Sequence, residues 1–374
     1  MIISAPYQTH DGERRVAISP DVAARLVDAG HDVAIETDAG RSAGFHDDQY
    51  TAAGARIVSG EDAWGADLVA VVEPPNRQQT EYLRSGALLV GLLYPLEHPG
   101  GIKRLAGTGV TALSFETLPR ITRAQAMDAL SSQATVAGYA SVILASDRVP
   151  KFLPMLTTAA GTIAPARVVI LGAGVAGLQA IATARRLGAV VSAFDVRSAA
   201  AEQVQSLGAK FIDLSIERQD EQAAGGYARE VGQDDQAAML EGLTPHIAGA
   251  DIVISTAQIP GRPAPTLMTE QMVAGMKPGS VIVDVAAATG GNCTLTKKGE
   301  TVDVGGVWII GLTNLASRVP ADASRMYARN VLALINLITA SETLDMSDEV
   351  IAGCVVAHNG TITNDRVRGL LEEV

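Results

Sequence analysis

Short apolar runs, rich in β-branched residues, alternate with amphipathic stretches along almost the whole chain. In the first third these runs lie at 2–5, 32–35, 68–72, 87–93 and 110–115. Further along they lie at 168–171, 190–194, 210–212, 251–255, 281–285 and 307–310. Continuous apolar strands separated by helices are typical of parallel sheets that are covered on both faces. The pattern therefore predicts an α/β fold with two doubly wound parallel sheets.

Helix signals lie between the apolar runs. Ser19-Pro20-Asp21 combines a capping residue, a proline suited to the first helical position and an acid in the first turn. Gly30 is placed to end that helix. We expect a long helix over 123–147 and another from 323 to about 340.

The doubled pattern also predicts two domains, which a chain of 374 residues can accommodate. We expect the first domain to comprise 1–130, completed by a C-terminal tail at about 316–374 that packs back on it. The second domain is expected at 131–315. Ligands bind preferentially at domain interfaces, so we expect the ligand in the cleft between them.

One polar stretch, from about 215 to 230, interrupts the alternation and contains a glycine pair before Tyr227. Connections of this length are unusual unless they are functional or disordered. A mobile loop that closes over a ligand with Tyr227 is the favoured interpretation, and a passive loop is the alternative.

Composition narrows the function classes. Hydrophobic residues make up 47% of the chain, aromatic residues 4%, and the net charge is −12. An acidic chain is poorly suited to nucleic acid, no apolar run reaches the roughly 18 residues of a membrane helix, and no signal peptide is evident. Cys293 and Cys354 are isolated, and the six histidines lack metal-ligand spacing. We therefore expect a cytoplasmic protein with no metal, no nucleic-acid partner and no membrane insertion.

Residues 167–177 carry the most specific chemistry, because a β-branched run leads into Gly172, Gly174 and Gly177. A helical stretch and a second apolar run follow, and that run ends at Asp195. In this context the three glycines allow a tight turn, the approach of a pyrophosphate and close packing of helix on strand. The pyrophosphate is expected at the helix N-terminus, and Asp195 is expected to bind the adenosine ribose. The second domain is therefore predicted to be a Rossmann-like dinucleotide-binding domain.

The acid at position 195 indicates which coenzyme is bound. A carboxylate accepts hydrogen bonds from a ribose 2′-hydroxyl and repels a 2′-phosphate, so NAD(H) is expected rather than NADP(H). Arg197 has the chemistry to receive a phosphate, but an exposed residue at the start of a helix is the favoured interpretation.

Several motifs together resemble one family, the soluble NAD(H)-binding alpha component of proton-translocating nicotinamide nucleotide transhydrogenase. The resemblance covers nearly the whole length. It is carried by Glu13–Pro20, Pro119–Gln133, Gly172–Ala184, Ala224–Ala228, Ile259–Pro265 and Gly290-Gly291-Asn292. The glycine motif is generic, whereas 119–133 and the Gly-Gly-Tyr loop are specific. The same fold resembles, more distantly, alanine dehydrogenase.

The resemblance implies roles for individual residues. Those expected to hold the nicotinamide end are Arg120, Gln125, Asp128 and Ser131, together with Tyr227 of the mobile loop. The remaining coenzyme contacts are expected from Gly172, Gly174, Val175, Ala176, Gly177, Asp195, Val196, Arg197 and Gly226.

The residues themselves leave the segment at 122–131 ambiguous. If an α-helix begins near Thr122, then Gln125, Asp128 and Ser131 share a face roughly and could fix a carboxamide. Alternatively, Thr122 and Gln125 form a capping box, in which Gln125 only reaches back to the helix start.

The resemblance further implies a Si-specific, proton-translocating activity in which hydride passes from NADH to NADP⁺ on a partner domain. It also implies a homodimer, membrane-spanning partner subunits and a position on the inner face of the cytoplasmic membrane. Direct hydride exchange needs proximity and orientation but no acid, base or metal.

Two alternatives remain open. An NAD-dependent amino-acid dehydrogenase of the alanine dehydrogenase type needs a lysine, a histidine and an aspartate, which would fall near Val72, Tyr94 and Ala288 and are missing here. A non-enzymatic NAD sensor would also bind the coenzyme.

Overall fold

A computed structural model describes residues 1–214, 233–259 and 261–372. The chain divides into two compact units. The first unit comprises Met1–Gln133 and Ala316–Val374, and the second comprises Ala134–Leu315. The predicted mobile loop with Gly226 and Tyr227 lies outside the described residues.

The elements alternate in type through most of the described chain. The strands are β1 (Ile2–Ala5), β2 (Asp32–Glu36), β3 (Arg56–Val58), β4 (Leu68–Ala70), β5 (Leu88–Gly91), β6 (Thr111–Ser114), β7 (Leu156–Thr158), β8 (Gly161–Ile163), β9 (Arg167–Leu171), β10 (Val190–Phe194), β11 (Lys210–Phe211), β12 (Ile252–Ser255), β13 (Val281–Asp284), β14 (Thr301–Val304), β15 (Val307–Ile310), β16 (Val355–His358) and β17 (Thr361–Ile362). The α-helices are α1 (Pro20–Asp28), α2 (Asp47–Ala52), α3 (Gly60–Trp64), α4 (Arg77–Tyr82), α5 (Pro99–Gly107), α6 (Ala129–Arg148), α7 (Val175–Arg186), α8 (Ala200–Ser206), α9 (Gln233–Ala248), α10 (Glu270–Ala274), α11 (Pro320–Ile338), α12 (Glu349–Cys354) and α13 (Asp365–Glu372).

The first unit is built on a sheet with the strand order β17-β16-β6-β5-β4-β1-β2-β3. Pairing is parallel from β3 to β6, and β16 and β17 extend the sheet in antiparallel orientation. The chain adds β2 and β3 on one side of β1 and then crosses to add β4 on the other. Ligands of such sheets bind at the carboxyl ends of the strands where the order reverses, here between β1 and β4.

Helix α11 closes the core of the first unit. Its wholly buried side chains include Tyr327, Val331 and Leu334, and they share a hydrophobic cluster with the sheet. The Tyr327 hydroxyl donates a hydrogen bond of 2.6 Å to the Val71 carbonyl just beyond β4. A phenol hydroxyl buried this deeply needs a hydrogen-bond partner. The bond therefore helps to fix the position of α11 on the sheet.

The second unit contains a sheet with the order β11-β10-β9-β12-β13-β15-β14, parallel except for the edge strand β14. Its central strands β9, β12 and β13 are buried except for Arg167 at the start of β9, as their apolar sequences predicted. The strand order reverses between β9 and β12. A separate hairpin of β7 and β8 precedes this sheet.

The predicted α/β class with two doubly wound, parallel-dominated sheets is confirmed, as is the helix beginning at Pro20. The helix expected over 123–147 is wrong at its start. A 3₁₀ helix occupies Thr122–Met127, and α6 begins only after Asp128. The Ala126 carbonyl accepts a hydrogen bond of 2.8 Å from the Asn330 amide of α11, so a tertiary contact replaces the helical partner.

Candidate functional site

The turn after β9 depends on two glycines that no larger residue could replace without movement. Gly172 has a φ of +94°, and a Cβ there would lie 2.8 Å from Thr256 Oγ1. A Cβ on Gly177 would lie 1.9 Å from the Gly172 carbonyl oxygen. Helix α7 therefore packs directly on the end of β9. Gly174 differs, because a Cβ there would meet no atom of the described residues within 4 Å.

The N-terminus of α7 is open to an anion. Gly174 occupies the N-cap position, no side chain of the described residues caps the helix, and the first turn holds no acidic residue. The first bond of the helix runs from the Leu178 N–H to the Gly174 carbonyl at 2.8 Å. The N–H groups of Val175, Ala176 and Gly177 precede that bond, and such groups together with the helix dipole favour a phosphate. These residues therefore fit the pyrophosphate of a dinucleotide.

Asp195 follows β10 and is buried, with 8% of its surface exposed. Its Oδ2 accepts a hydrogen bond of 2.7 Å from the Ala173 N–H, which ties it to the glycine turn. Arg197 binds the same carboxylate through its backbone N–H and Nε at 2.9 Å each and through Nη2 at 2.8 Å. The interpretation of Arg197 as an exposed helix-start residue is wrong. It is half-buried, it precedes α8, and its ion pair with Asp195 explains that position. Val196 lies between the two and is also half-buried.

The four residues expected near the nicotinamide belong to the first unit. Arg120 and Gln125 are exposed, whereas Asp128 and Ser131 are half-buried. Asp128 accepts hydrogen bonds from the Ser131 N–H at 2.9 Å and from its hydroxyl at 2.5 Å. The shared α-helical face is wrong, because the helix axis breaks at Asp128. A capping box at Thr122 is also wrong, because Ile121 occupies the N-cap position and no described side chain caps the 3₁₀ helix.

An ionic cluster lies beyond the carboxyl ends of the strands in the first unit. Arg15 binds Glu13 through Nε at 2.9 Å and Nη2 at 2.6 Å, and its Nη1 binds Gln133 Oε1 at 2.8 Å. Ser317 also donates to Glu13. Burial raises the pKa of Glu13, but the bonds and charge of Arg15 outweigh burial and lower this pKa to about 2.

Glu73 lies in the same cluster without an equivalent partner. Its Oε1 is 3.6 Å from Arg15 Nη2 and accepts a bond of 3.2 Å from the Tyr94 hydroxyl. Burial raises the pKa of Glu73 to about 7, and the nearby charges of Glu13 and Glu116 act in the same direction against Arg15. Arg15 therefore offsets the burial of Glu13, which it binds closely, but not that of Glu73, which lies farther from the guanidinium.

Tyr94 is strained, since its φ of +49° is rare for a bulky residue. Glu116 stabilises this backbone by accepting the Tyr94 N–H at 3.0 Å. Burial raises the pKa of Glu116, while the Ser114 hydroxyl and neighbouring backbone N–H groups lower it. This cluster was not predicted from the sequence, because its members follow four different strands. The signal available was that acidic residues directly follow apolar runs at Glu73 and Glu116.

The described residues contain neither a metal-ligand cluster nor a helix able to span a membrane. There, no group of three or more histidine, cysteine, aspartate or glutamate side chains could hold a metal ion. Among the same residues, no helix combines the length and apolarity that crossing a bilayer requires.

The fold and the glycine turn define a two-domain α/β protein of the dinucleotide-binding class. Two family profiles cover most of the chain. The N-terminal domain of alanine dehydrogenase/PNT matches residues 5–137, and the C-terminal domain of alanine dehydrogenase/PNT matches residues 141–365. The chain belongs to the alanine dehydrogenase/PNT family.

Within this family the chain is more similar to transhydrogenase subunits than to alanine dehydrogenases. It is 44% identical to the first portion of the NAD(P) transhydrogenase subunit alpha from Rhodospirillum rubrum, over 99% of each chain. A transhydrogenase structure from Sinorhizobium meliloti matches with a TM-score of 0.86 and 42% identity, over 98% of this chain and 99% of the other. Alanine dehydrogenase of Bacillus subtilis is 31% identical over 86% of this chain and 81% of its own. The resemblance predicted from the motifs is confirmed.

Glu73 predicts a pH dependence of folding. Its pKa of about 7 in the folded protein lies above its ordinary value of 4.5. The stability it contributes is therefore fully present below pH 4.5 and is lost as the pH rises to about 7, by about 3 kcal/mol at most. We expect Glu73→Gln to remove this loss, measured as the free energy of unfolding by urea between pH 4.5 and 8.

The matched control is Glu61→Gln, which changes an exposed carboxylate of the same unit. It should retain the pH dependence of the unchanged protein. A Glu73→Gln variant whose unfolding free energy falls with pH as steeply as that of the unchanged protein would contradict the assignment.

Proposed function

We propose that this chain is the NAD(H)-binding peripheral subunit of a proton-translocating transhydrogenase. The observation that carries the proposal is the glycine turn with its uncapped helix N-terminus, placed where the strand order of the second unit reverses. Asp195 adds a buried carboxylate at the end of the neighbouring strand. Similarity to transhydrogenase alpha subunits over the full length supports the same assignment.

In this proposal the chain binds and orients the coenzyme. The N–H groups of Val175, Ala176 and Gly177 bind its pyrophosphate, and Asp195 accepts hydrogen bonds from the adenosine ribose. Arg120, Gln125, Asp128, Ser131 and Tyr227 hold its nicotinamide end, as the resemblance implies. The coenzyme supplies the chemistry, a hydride that passes from NADH to NADP⁺ held on a partner domain.

An amino-acid dehydrogenase is the weaker candidate. Oxidation of an amino group requires positioned groups that accept and release protons. The three positions expected to carry them hold Val72, which is fully buried, Tyr94, whose hydroxyl is bonded to Glu73, and Ala288, which has only a methyl group. Hydride exchange between two coenzymes needs none of these groups, so the residues present favour transhydrogenation.

The partners follow from the same proposal. An NADP(H)-binding domain has to dock beside the bound NADH, and membrane-spanning subunits have to carry the proton step. The chain would then sit on the inner, cytoplasmic face of the membrane as a peripheral subunit. Relatives named as transhydrogenase subunit alpha support this arrangement.

The hairpin of β7 and β8 supports the proposal of a homodimer. All residues from 157 to 164 are exposed, and the exposed side chains beside or within the hairpin include Phe152, Met155 and Ile163 at 55%, 62% and 45%. An isolated two-stranded hairpin is at best marginally stable in water. We propose that a second copy of the chain covers it.

The catalytic proposal predicts that hydride transfer requires two polypeptides. The isolated chain should bind NADH in preference to NADPH, measured by quenching of coenzyme fluorescence, and should not reduce NADP⁺. Added NADP⁺-loaded partner domain should restore transfer, followed in a stopped-flow spectrometer. Rapid NADP⁺ reduction by the isolated chain, or alanine-dependent reduction of NAD⁺, would overturn the proposal.

Gly174→Ala tests the pyrophosphate site without disturbing the fold. A methyl group at this position meets no described protein atom within 4 Å, but it would stand before the helix N-terminus. We expect about tenfold or greater weakening of NADH binding by titration calorimetry, with an unchanged melting temperature. Gly107→Ala, also without contacts within 4 Å among the described residues, should change neither quantity. Equal NADH affinity in Gly174→Ala and the unchanged protein would place the coenzyme elsewhere.

The dimer proposal predicts the effect of a Met155→Lys/Ile163→Lys variant. Two charges on the hairpin should prevent association, because an interface core excludes unpaired charge. Sedimentation should show the variant as a monomer that still binds NADH. Leu207→Lys, at another exposed apolar position of the second unit, is the control and should leave the dimer intact. A variant that remains dimeric, or an unchanged protein that is monomeric, would refute it.

A further inference from the structure

The Gly290-Gly291-Asn292 motif lies outside the glycine turn and the ionic cluster, yet its Asn292 is fully buried. The Asn292 side chain binds both polar groups of Ala257, with Oδ1 accepting from the N–H at 3.1 Å and Nδ2 donating to the carbonyl at 2.9 Å. Nδ2 also donates to the Pro265 carbonyl at 2.8 Å. The side-chain amide of Asn292 therefore links Ala257 to Pro265, both of which follow β12.

The backbone of Asn292 strengthens this connection. Its carbonyl accepts hydrogen bonds from the N–H groups of Leu267 at 2.8 Å and Met268 at 3.0 Å. We refer to residues 257–259 and 261–265 as the β12 loop. The Asn292 side chain holds the beginning and the end of this loop, and its backbone carbonyl holds the residues that directly follow the loop.

The segment around Asn292 is fixed by Asp284, which is fully buried at the end of β13. Asp284 Oδ2 accepts from the Cys293 N–H at 3.0 Å and from the Thr296 hydroxyl at 2.6 Å, and Oδ1 accepts from the Ala286 N–H at 3.1 Å. Gly291 has a φ of +83°, and a Cβ there would lie 2.6 Å from Asp284 Oδ2. The motif thus requires glycine before Asn292 for its close approach to the carboxylate.

The β12 loop begins beside the glycine turn. Thr256, the residue before it, donates from its hydroxyl to the Gly172 carbonyl at 3.0 Å. Its N–H donates to the Leu171 carbonyl at 2.8 Å. The glycine turn and the β12 loop therefore flank the point where the strand order reverses, and a dinucleotide lies across that point. Asp195 marks the adenosine side, which leaves the β12 loop on the nicotinamide side.

We propose that Asn292 is a positioning residue that fixes the β12 loop as the wall of the nicotinamide half of the coenzyme site. The inference rests on the proposed binding of NAD(H). Asn292 is fully buried and acts only through the loop. Loss of its side-chain hydrogen bonds would leave half-buried amide and carbonyl groups of Ala257 and Pro265 without these partners, and the loop would rearrange to satisfy them.

The test compares two ligands in Asn292→Ala and Asn292→Ser. ADP occupies only the adenosine and pyrophosphate positions, whereas NADH also needs the nicotinamide side. In Asn292→Ala we expect NADH affinity to fall about tenfold or more and ADP affinity to change less than about twofold. Asn292→Ser keeps one hydroxyl and should show an intermediate loss of NADH affinity. Hydrogen exchange should accelerate in the peptide 257–268.

The matched control is Ser280→Ala. It removes a buried side-chain bond of 3.2 Å to the Ala250 carbonyl at the opposite ends of the strands, and it should leave both affinities unchanged. Loss of ADP and NADH binding together in both Asn292 variants would overturn the inference, because Asn292 would then support the whole unit. Unchanged NADH affinity would overturn it as well. If the unchanged protein bound no NADH, the proposed function itself would fail.

Discussion

The contact between Gly177 of α7 and the Gly172 carbonyl beyond β9 is the constraint on which the proposed coenzyme site depends. No side chain separates the two segments, since even a Cβ would lie 1.9 Å from that oxygen. The helix therefore starts directly at the edge of the sheet, and no described side chain caps its first N–H groups. In the proposed site the backbone alone supplies the donors for an anion, and the surrounding side chains would determine which anion binds.

The two units share the same strand order around the reversal point, but different residues lie at that point in each unit. In the second unit the reversal point is bordered by glycines and backbone N–H groups. In the first unit the reversal point between β1 and β4 is occupied by the chain itself, because Gln8 Oε1 accepts the N–H groups of Val72 and Glu73 at 3.2 and 2.9 Å. The ionic cluster of Arg15 and Glu73 lies beside it. A doubly wound sheet supplies a place for a ligand, but the residues that follow its strands determine whether that place is available.

Hydrophobic patterning predicted most of the central strands, because strands buried on both faces are continuous apolar runs. It missed β3, β14, β17 and the hairpin of β7 and β8, which lie at sheet edges or in solvent and carry exposed residues. It also missed β16, which is largely buried between β6 and β17. The break at Asp128 was also missed, since it depends on a bond from Asn330, which is 204 residues from Ala126. Contacts of this kind are set by tertiary packing, and a local pattern contains no signal for them.

In the proposed site, too, some features were predicted from the sequence and others were not. The glycines and Asp195 were predicted because their spacing is imposed by one continuous β–α–β unit. The pairing of Arg197 with Asp195 was not, although the two are neighbours in sequence. That pairing bears on the proposed choice of NAD(H) over NADP(H). Asp195 already accepts four hydrogen bonds, three from Arg197 and one from Ala173, which fills the lone-pair positions of a carboxylate.

In the proposed site, ribose hydroxyls can reach Asp195 only by exchange with existing donors, and the mobile donors belong to the Arg197 side chain. A 2′-hydroxyl offers a donor in exchange, so the carboxylate stays satisfied. A fully ionised 2′-phosphate offers only acceptors and would leave the buried carboxylate facing a second negative charge, which is costly where water is excluded. Arg197 offsets part of that repulsion only if it leaves Asp195, and the carboxylate then loses its cation. The proposed preference for a coenzyme without the phosphate thus rests on the Asp195 carboxylate and is reinforced by its coupling to Arg197.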